Sequence, residues 1–187
     1  MKANSLNPKH SVRFSWTKPD IGYSKLNVDG SRTRTGEIGA GGVIRDAAGS
    51  WQGGFMVNIG LGEVWQAEAW GLFHDLQLAT SLNIRKLIVE SDSAILVNLM
   101  KQENSDLHPL GIIISNCQSL MQNFEKCQLH HILRERNMVA DLLAKNSTSH
   151  SLGVCTFFDP PCFVSDAIID DIIGVSKTRL VGSSMTG

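Results

Sequence analysis

The stretch LIVESDSAILV, residues 87–97, combines the sequence patterns of a strand and a helix with two acidic residues close to where they meet. Its apolar beginning is typical of a strand that is buried on both faces, as parallel strands flanked by helices are. Ser93 is a residue type that caps helices, and a second apolar run follows it at once. The stretch therefore predicts a buried strand that passes directly into a helix, with Asp92 at the carboxyl end of the strand.

Three segments upstream have the alternating or apolar pattern of strands. They are KLNVDGS (25–31), IGAGGVIRD (38–46) and SWQGGFMVNIG (50–60), and the turn DAAG joins the last two. A 4-3-4-3 apolar stripe then predicts an amphipathic helix. The stripe consists of Trp65, Ala69, Leu72, Leu76 and Ala79.

Downstream, helices at about 94–101 and 110–124 lead to the strand CQLHHIL (127–133) and the helix NMVADLLAKNS (137–147). The order is β-β-β-α-β-α-α-β-α. Because an antiparallel meander is followed by crossover units, we expect a mixed α/β fold. Its core is a five-stranded mixed sheet with helices on its faces.

The chain divides into one predicted domain and two extensions. Residues 1–14 form a polar leader, and residues 15–150 hold all the predicted strands and helices. Residues 151–187 include the turn-rich FFDPPCF and a short apolar-acidic segment, AIIDDIIG. We expect this C-terminal extension to be partly disordered.

Composition excludes some classes of protein. Among 187 residues, 42% are hydrophobic and 19% charged, and the net charge is −1, so bulk charge does not indicate a nucleic-acid binder. The four cysteines match no C-x-x-C zinc pattern. The sequence has neither a signal-peptide core nor an apolar run of membrane-span length. We expect an intracellular, soluble monomer, in the nucleus or the cytoplasm.

Four acids lie where the predicted elements begin or end. Asp29 closes the first strand, Glu68 lies one turn into the first long helix, Asp92 closes the fourth strand, and Asp141 opens the last helix. Converging carboxylates repel one another unless a cation lies between them. Mg²⁺ prefers oxygen ligands, and a pair of such ions can promote phosphodiester cleavage. The sequence therefore predicts a metal site, whereas for Glu90 we favour a structural role.

Other sequence features are weaker indications of a binding or catalytic site. GEIGAGG lacks the lysine and the strand–loop–helix context of a phosphate-binding loop. His130 and His131 are adjacent on a strand and face opposite ways, so they do not share a metal. The tryptophans are expected in the core. Basic residues that could flank the carboxylates are Arg32, Arg34, Arg45, Arg134, Arg136 and Lys145.

The motifs KLNVDGS, GAGGVIRDAAGSW, QAEAWGL, LIVESDS and HHILRERNMVADLLA resemble the type 1 ribonuclease H domain. They resemble most its plant branch, which is related to non-LTR retroelements, and the resemblance covers about residues 15–150. It implies a ribonuclease H-like fold and a metal-dependent endonuclease that hydrolyses the RNA strand of RNA–DNA hybrids with two metal ions.

The resemblance also assigns residues. The family's metal-binding catalytic acids correspond to Asp29, Glu68, Asp92 and Asp141, which would hold two Mg²⁺ ions, with Mn²⁺ able to substitute. Main chain around Gly30 and Ser31, together with the neighbourhood of Glu68, would contact the RNA 2′-hydroxyls that distinguish RNA from DNA.

Two departures from the family pattern affect substrate handling. The loop before the last acid, LRERN, lacks the mobile histidine of bacterial members, and Arg134 is the candidate replacement. Arginine does not act as a general base, but it binds a phosphate through two hydrogen bonds. The segment KQENSDLHPLG (101–111) carries one lysine where some members have a basic helix that grips the hybrid. We therefore expect weak hybrid binding.

Two alternatives stay open. Exonucleases of the same superfold carry a D-x-E pair on the first strand, and VDGS has a single acid there, which disfavours that class. The other alternative is a catalytically silent, retroelement-derived module for nucleic-acid binding or protein interaction. The presence of all four acids argues against it, whereas the missing basic helix and the nearly neutral net charge keep it open.

Overall fold

The computed structural model describes residues 10–102 and 108–181. The strands are β1 (His10–Phe14), β2 (Ser24–Arg32), β3 (Glu37–Arg45), β4 (Trp51–Leu61), β5 (Lys86–Ser91), β6 (Lys126–His131), β7 (Gly153–Phe157) and β8 (Lys177–Val181). The helices are α1 (Val64–Ser81), α2 (Ala94–Met100), α3 (Gly111–Gln122), α4 (Met138–Ser147) and α5 (Ser165–Ile173). All five predicted strands and all four predicted helices are present.

The main sheet has the strand order β6-β5-β2-β3-β4-β7. Strand β2 pairs antiparallel with β3 and parallel with β5, and β5 pairs parallel with β6. The mixed α/β prediction is confirmed. The number of strands was wrong, because β7 adds a sixth strand by pairing antiparallel with β4. This edge strand is mostly exposed even though Val154, Cys155 and Phe157 are apolar, and it lies in the segment that we expected to be partly disordered.

Helices cover both faces of the sheet. On the α1 face, the core includes Leu26, Leu72 and Leu87. On the α4 face, a smaller core contains Val43, Met56, Val139, Leu143 and Val164. Burial of such side chains contributes about 1.5–3 kcal/mol each, so the two cores hold the sheet rigidly between the helices. Among the described residues, no helix has the length and hydropathy needed to cross a membrane.

The predicted extensions contain ordered elements. Strand β1, within the expected polar leader, pairs antiparallel with β8 in a separate two-stranded sheet. Strand β7 and helix α5 lie within the expected C-terminal extension. The predictions for residues 1–9 and 182–187, and part of the prediction for the segment 101–111, concern residues outside the described ranges. The boundaries 15–150 stay a proposal for the catalytic unit, onto which the following residues pack.

Helix α5 is anchored to the sheet by a buried ion pair. Arg45, which is 1% exposed, donates from Nη1 to Asp171 Oδ2 over 2.7 Å and from Nη2 to Asn27 Oδ1 over 3.0 Å. Its guanidinium carbon lies 3.6 Å from the Trp16 ring centroid. The suggestion that Arg45 flanks the carboxylates was therefore wrong, because its guanidinium is buried and bound to Asp171 and Asn27.

A second buried pair explains Glu90. Lys25 Nζ lies 2.7 Å from Glu90 Oε1, and Asn27 Nδ2 donates to Glu90 Oε2 over 2.9 Å. Both carboxylate oxygens of Glu90 are thus used within the fold. The structural role expected for Glu90 is confirmed.

We predict that Asp171→Ala destabilises the protein by about 3–5 kcal/mol, because it leaves the Arg45 charge buried without its partner. Asp170→Ala is the matched control, since Asp170 makes a half-exposed pair with Lys177 at 3.2 Å. That loss should be at most about 1 kcal/mol. Urea unfolding of both variants measures the difference, and equal destabilisation would contradict the anchoring role.

Asp75 of α1 is a buried acid with no role in the predicted site. It is 0% exposed, and neither carboxylate oxygen has a hydrogen-bond partner among the described residues. The side chain occupies the space beside Gly42 of β3, where an added Cβ would clash with the Asp75 carboxylate. Burial raises the pKa of Asp75 well above its ordinary value of 3.8. The group is therefore held as a neutral acid.

The raised pKa predicts a stability difference that depends on pH. Below pH 3.8 both folded and unfolded chains carry a protonated Asp75, so Asp75→Asn should change little. As pH rises toward the folded-state pKa, the wild type should lose about 1.4 kcal/mol per pH unit relative to Asp75→Asn. Unfolding both proteins at pH 4, 6 and 8 tests this. A difference independent of pH would show that Asp75 is not protonated on folding.

Candidate metal centre

The pairing of β2 with β5 places two of the predicted acids side by side. The parallel register ends at Val28 opposite Ser91. Asp29 is the next residue of β2, and Asp92 directly follows β5. Because the two strands run in the same direction, their carboxyl ends meet at one edge of the sheet. Asp29 and Asp92 therefore emerge at the same edge of the sheet.

Helix α1 brings Glu68 to the same edge. A carboxylate oxygen from each of Asp29, Glu68 and Asp92 lies within 4.8 Å of the others. The close approach of helix and strand depends on Gly30, where an added Cβ would lie 2.7 Å from the main-chain nitrogen of Glu68. A side chain at that position would push the helix away and separate the three acids.

Burial and mutual repulsion dominate the electrostatics of Asp29 and Glu68, although the charge of Arg134 acts in the opposite direction. Burial, followed by the charges of Asp92 and Asp141, raises the pKa of Asp29 to about 8. Burial, followed by Asp29 and Asp92, raises the pKa of Glu68 well above its usual range. Glu68 Oε2 is buried and has no hydrogen-bond partner among the described residues. A dication with oxygen ligands fits this set, since it would neutralise the cluster and satisfy the unpaired oxygen.

Asp141 lies near this cluster but is neutralised by two cations. Arg134 donates to Asp141 Oδ1 from Nη2 over 2.6 Å and from Nε over 3.2 Å. Lys145 Nζ lies 2.6 Å from Asp141 Oδ2. Burial tends to raise the pKa of Asp141, but the hydrogen bonds from Lys145 and Arg134 hold it below its ordinary value. The structure thus brings three of the four predicted acids together, and it pairs the fourth.

A cavity of about 320 Å³ opens at this edge. Its lining is Asp29, Gly30, Ser31, Arg32, Val64, Glu68, Asp92, Arg134 and Lys145. The three predicted substrate contacts therefore all border the cavity. The Ser31 hydroxyl donates to the main-chain oxygen of Ala144 over 2.6 Å, so it also ties β2 to α4. Of the basic residues considered, Arg34 and Arg136 are not in the lining.

Two polar residues near Asp92 were missed by sequence reasoning. The Asn137 side chain donates to Asp92 Oδ1 over 3.3 Å. His131 Nε2 lies 3.2 Å from the main-chain oxygen of Asp92. An asparagine just before an apolar helical pattern is usually taken for a helix cap, and only the fold reveals that its side chain points to another strand.

Comparison with known proteins decides the family. The family described as "Reverse transcriptase-like" matches residues 27–147, which include all four predicted acids. The chain belongs to this family. The resemblance to ribonuclease H is confirmed by the relatives within it. A protein of Arabidopsis thaliana with a provisional ribonuclease H name is 36% identical over 175 residues, or 93% of this chain. The chain spans 28% of the length of that relative.

Solved ribonuclease H structures share the fold. The N-terminal ribonuclease H domain of a Mycobacterium tuberculosis protein is 26% identical, with a TM-score of 0.63 over 68% of this chain and 94% of that chain. The LC11 ribonuclease H1, isolated from compost and solved in complex with an RNA/DNA hybrid, is 22% identical. Its TM-score is 0.60 over 67% of this chain and 96% of that chain.

Within this ribonuclease H-like domain, burial of Glu68 should cost stability at neutral pH when no metal is bound, because its pKa is raised above that of the unfolded chain. We predict that Glu68→Gln raises the free energy of unfolding in EDTA by about 1–3 kcal/mol, because a neutral amide replaces a buried, unsatisfied acid. The same variant should lose the increase in melting temperature that Mg²⁺ gives the wild type. Thermal unfolding with EDTA and with Mg²⁺ measures both effects. An unchanged response to Mg²⁺ would place the ion elsewhere.

Proposed function

We propose that this domain is a metal-dependent endonuclease that hydrolyses the RNA strand of RNA–DNA hybrids by a two-metal mechanism. The observation that carries the proposal is the cluster of Asp29, Glu68 and Asp92, whose carboxyl groups are largely buried, lie close together and border a cavity. The relatives support the same conclusion, since they bear ribonuclease H names and one of them was solved with an RNA/DNA hybrid.

Asp29, Glu68 and Asp92 would hold the metal ions, with Mg²⁺ as the proposed cofactor and Mn²⁺ as a substitute. When bound, two such ions supply activation of a water and stabilisation of the leaving oxygen. The carboxylates fit this task because the fold brings them together before any ion arrives, so they need little rearrangement. Burial also excludes water from the cluster, which strengthens its attraction for a dication.

Arg134 would contact the substrate phosphate in place of the missing histidine. Its side chain is 62% exposed although its guanidinium reaches Asp141. A phosphate that recruits Arg134 would loosen its hold on Asp141, and Asp141 would then be available as the outermost metal ligand. Gly30 and Ser31, which border the cavity, would contribute main-chain contacts to the RNA strand.

The proposal predicts that Asp92→Asn abolishes cleavage of a labelled RNA–DNA hybrid while the fold is kept. The amide preserves the shape of the side chain but removes the charge that holds a metal ion. The assay compares both proteins with Mg²⁺, with Mn²⁺ and with EDTA, and circular dichroism checks the fold. Near wild-type turnover by folded Asp92→Asn would refute the site. A wild type that binds hybrid without cleaving it would indicate the silent binding module instead.

We expect weak hybrid binding with a shallow salt dependence, corresponding to roughly three to five phosphate contacts. In the Asp92→Asn background, Arg134→Ala should weaken affinity by about 1–3 kcal/mol and lower the log–log salt slope by about one. Arg134→Lys should rescue this only in part, because a point charge does not reproduce the two-pronged guanidinium.

Arg85→Ala is the matched control for charge. Arg85 immediately precedes β5, whose carboxyl end leads to Asp92, so it lies at the opposite end of the strand. Its loss should leave hybrid affinity nearly unchanged. Fluorescence anisotropy across a salt series makes the comparison. If Arg134→Ala and Arg85→Ala weaken binding equally, net charge and not a contact at the cavity would explain the effect.

A further inference from the structure

Asn137 connects three parts of the candidate centre through one side chain and its own backbone. The residue is 1% exposed and lies between the 3-10 turn Arg134–Arg136 and α4. Its Nδ2 donates to the main-chain oxygen of Val28 over 2.8 Å and to Asp92 Oδ1 over 3.3 Å. Since Val28 directly precedes Asp29, a single amide links the ends of β2 and β5 at the point where their pairing stops.

The backbone of Asn137 extends this connection to the other side of the cavity. Its nitrogen donates to the main-chain oxygen of Arg134 over 2.9 Å, which closes the 3-10 turn. Its oxygen accepts from the nitrogen of Asp141 over 3.0 Å, which begins α4. A shift of Asn137 would therefore move Asp92, Arg134 and Asp141 relative to one another.

The chemistry of the amide fixes its orientation. Both partners of Nδ2 are oxygens, so a flipped amide would set Oδ1 against two acceptors. In the observed orientation Oδ1 is buried and has no hydrogen-bond partner among the described residues. The two hydrogen bonds that Nδ2 makes to Val28 and Asp92 therefore come with an unpaired, buried Oδ1.

A neutral donor suits a metal ligand better than a cation does. Asp141 is held by Arg134 and Lys145, whose charges compete with any dication for that carboxylate. Asn137 restrains one oxygen of Asp92 without neutralising it, so the negative charge stays available. Hydrogen-bond partners of this kind orient metal ligands and raise metal affinity.

We infer that Asn137 is a positioning residue that orients Asp92 for metal binding. This inference rests on the metal-dependent function proposed above. Removal of the Asn137 amide would let Asp92 rotate away from Asp29 and Glu68, so the carboxylates would have to be reassembled each time an ion binds.

The test measures Mn²⁺ affinity of the whole chain without substrate, by electron paramagnetic resonance of free Mn²⁺. Asn137→Ala should bind Mn²⁺ roughly 10- to 100-fold more weakly than wild type, the range found when outer partners of metal ligands are removed. Asn146→Ala is the matched control, because Asn146 lies within α4 and, among the described residues, its side chain donates only to the Leu142 main-chain oxygen, over 2.9 Å. It should bind Mn²⁺ as wild type does.

A second readout separates positioning from a general loss of structure. Hybrid cleavage by Asn137→Ala should recover toward the wild-type rate as Mg²⁺ is raised, since excess metal compensates for lower affinity. A folded Asn137→Ala with wild-type Mn²⁺ affinity, or with cleavage that extra Mg²⁺ does not restore, overturns the inference. A wild-type protein that takes up no Mn²⁺ overturns the proposed metal site itself.

A measurement on the unaltered protein covers the case in which Asn137→Ala does not fold. The side-chain amide protons of Asn137 should shift in NMR spectra during a Mg²⁺ titration, with the same midpoint as the main-chain amide of Asp92. Asn137 signals that stay fixed while those of Asp92 move would contradict the proposed link between the two side chains.

Discussion

The parallel pairing of β2 with β5 is the constraint on which the rest of the structure depends. The pairing ends at Val28 and Ser91, so the two strands separate just before Asp29 and Asp92. The other acids of the candidate centre reach this same edge of the sheet from the helices. Helix α1 approaches it from one face with Glu68, and α4 approaches from the other with Asp141. Breaking the pairing would disperse the acids even if each helix stayed intact.

The fold treats its four acids in two ways. Asp29, Glu68 and Asp92 are brought together in a largely buried place, and burial together with the neighbouring carboxylates raises the pKa of Asp29 and Glu68. Asp141, in contrast, is satisfied by two basic side chains. Such a division is suited to a centre that attracts a dication strongly and recruits its last ligand only when substrate competes for Arg134. Elsewhere, buried charged side chains form ion pairs that stabilise the fold, as Arg45 and Asp171 do.

Much of this arrangement was predictable from the sequence, because apolar periodicity depends on burial within each element. The strand before Asp92 and the helix that carries Glu68 followed from such patterns, and the mixed character of the sheet then followed from the connections between them. The edge strand β7 was missed although Val154, Cys155 and Phe157 are apolar, because pairing with β4 is a tertiary contact that a five-residue segment does not reveal. The partners of Arg45 and Asn137 were missed because they lie far away in sequence. The protonated Asp75 was also missed, since only tertiary packing shows that it has no partner.

The most direct test of the central claim is to locate the metal. Crystals grown with Mn²⁺ and measured at a wavelength where manganese scatters anomalously would show the ion by its own signal. The account predicts anomalous density bounded by Asp29, Glu68 and Asp92, and its absence in crystals of Glu68→Gln grown in the same way. Density confined to another part of the surface, or an equal signal in both proteins, would contradict the assignment of this edge as a metal centre.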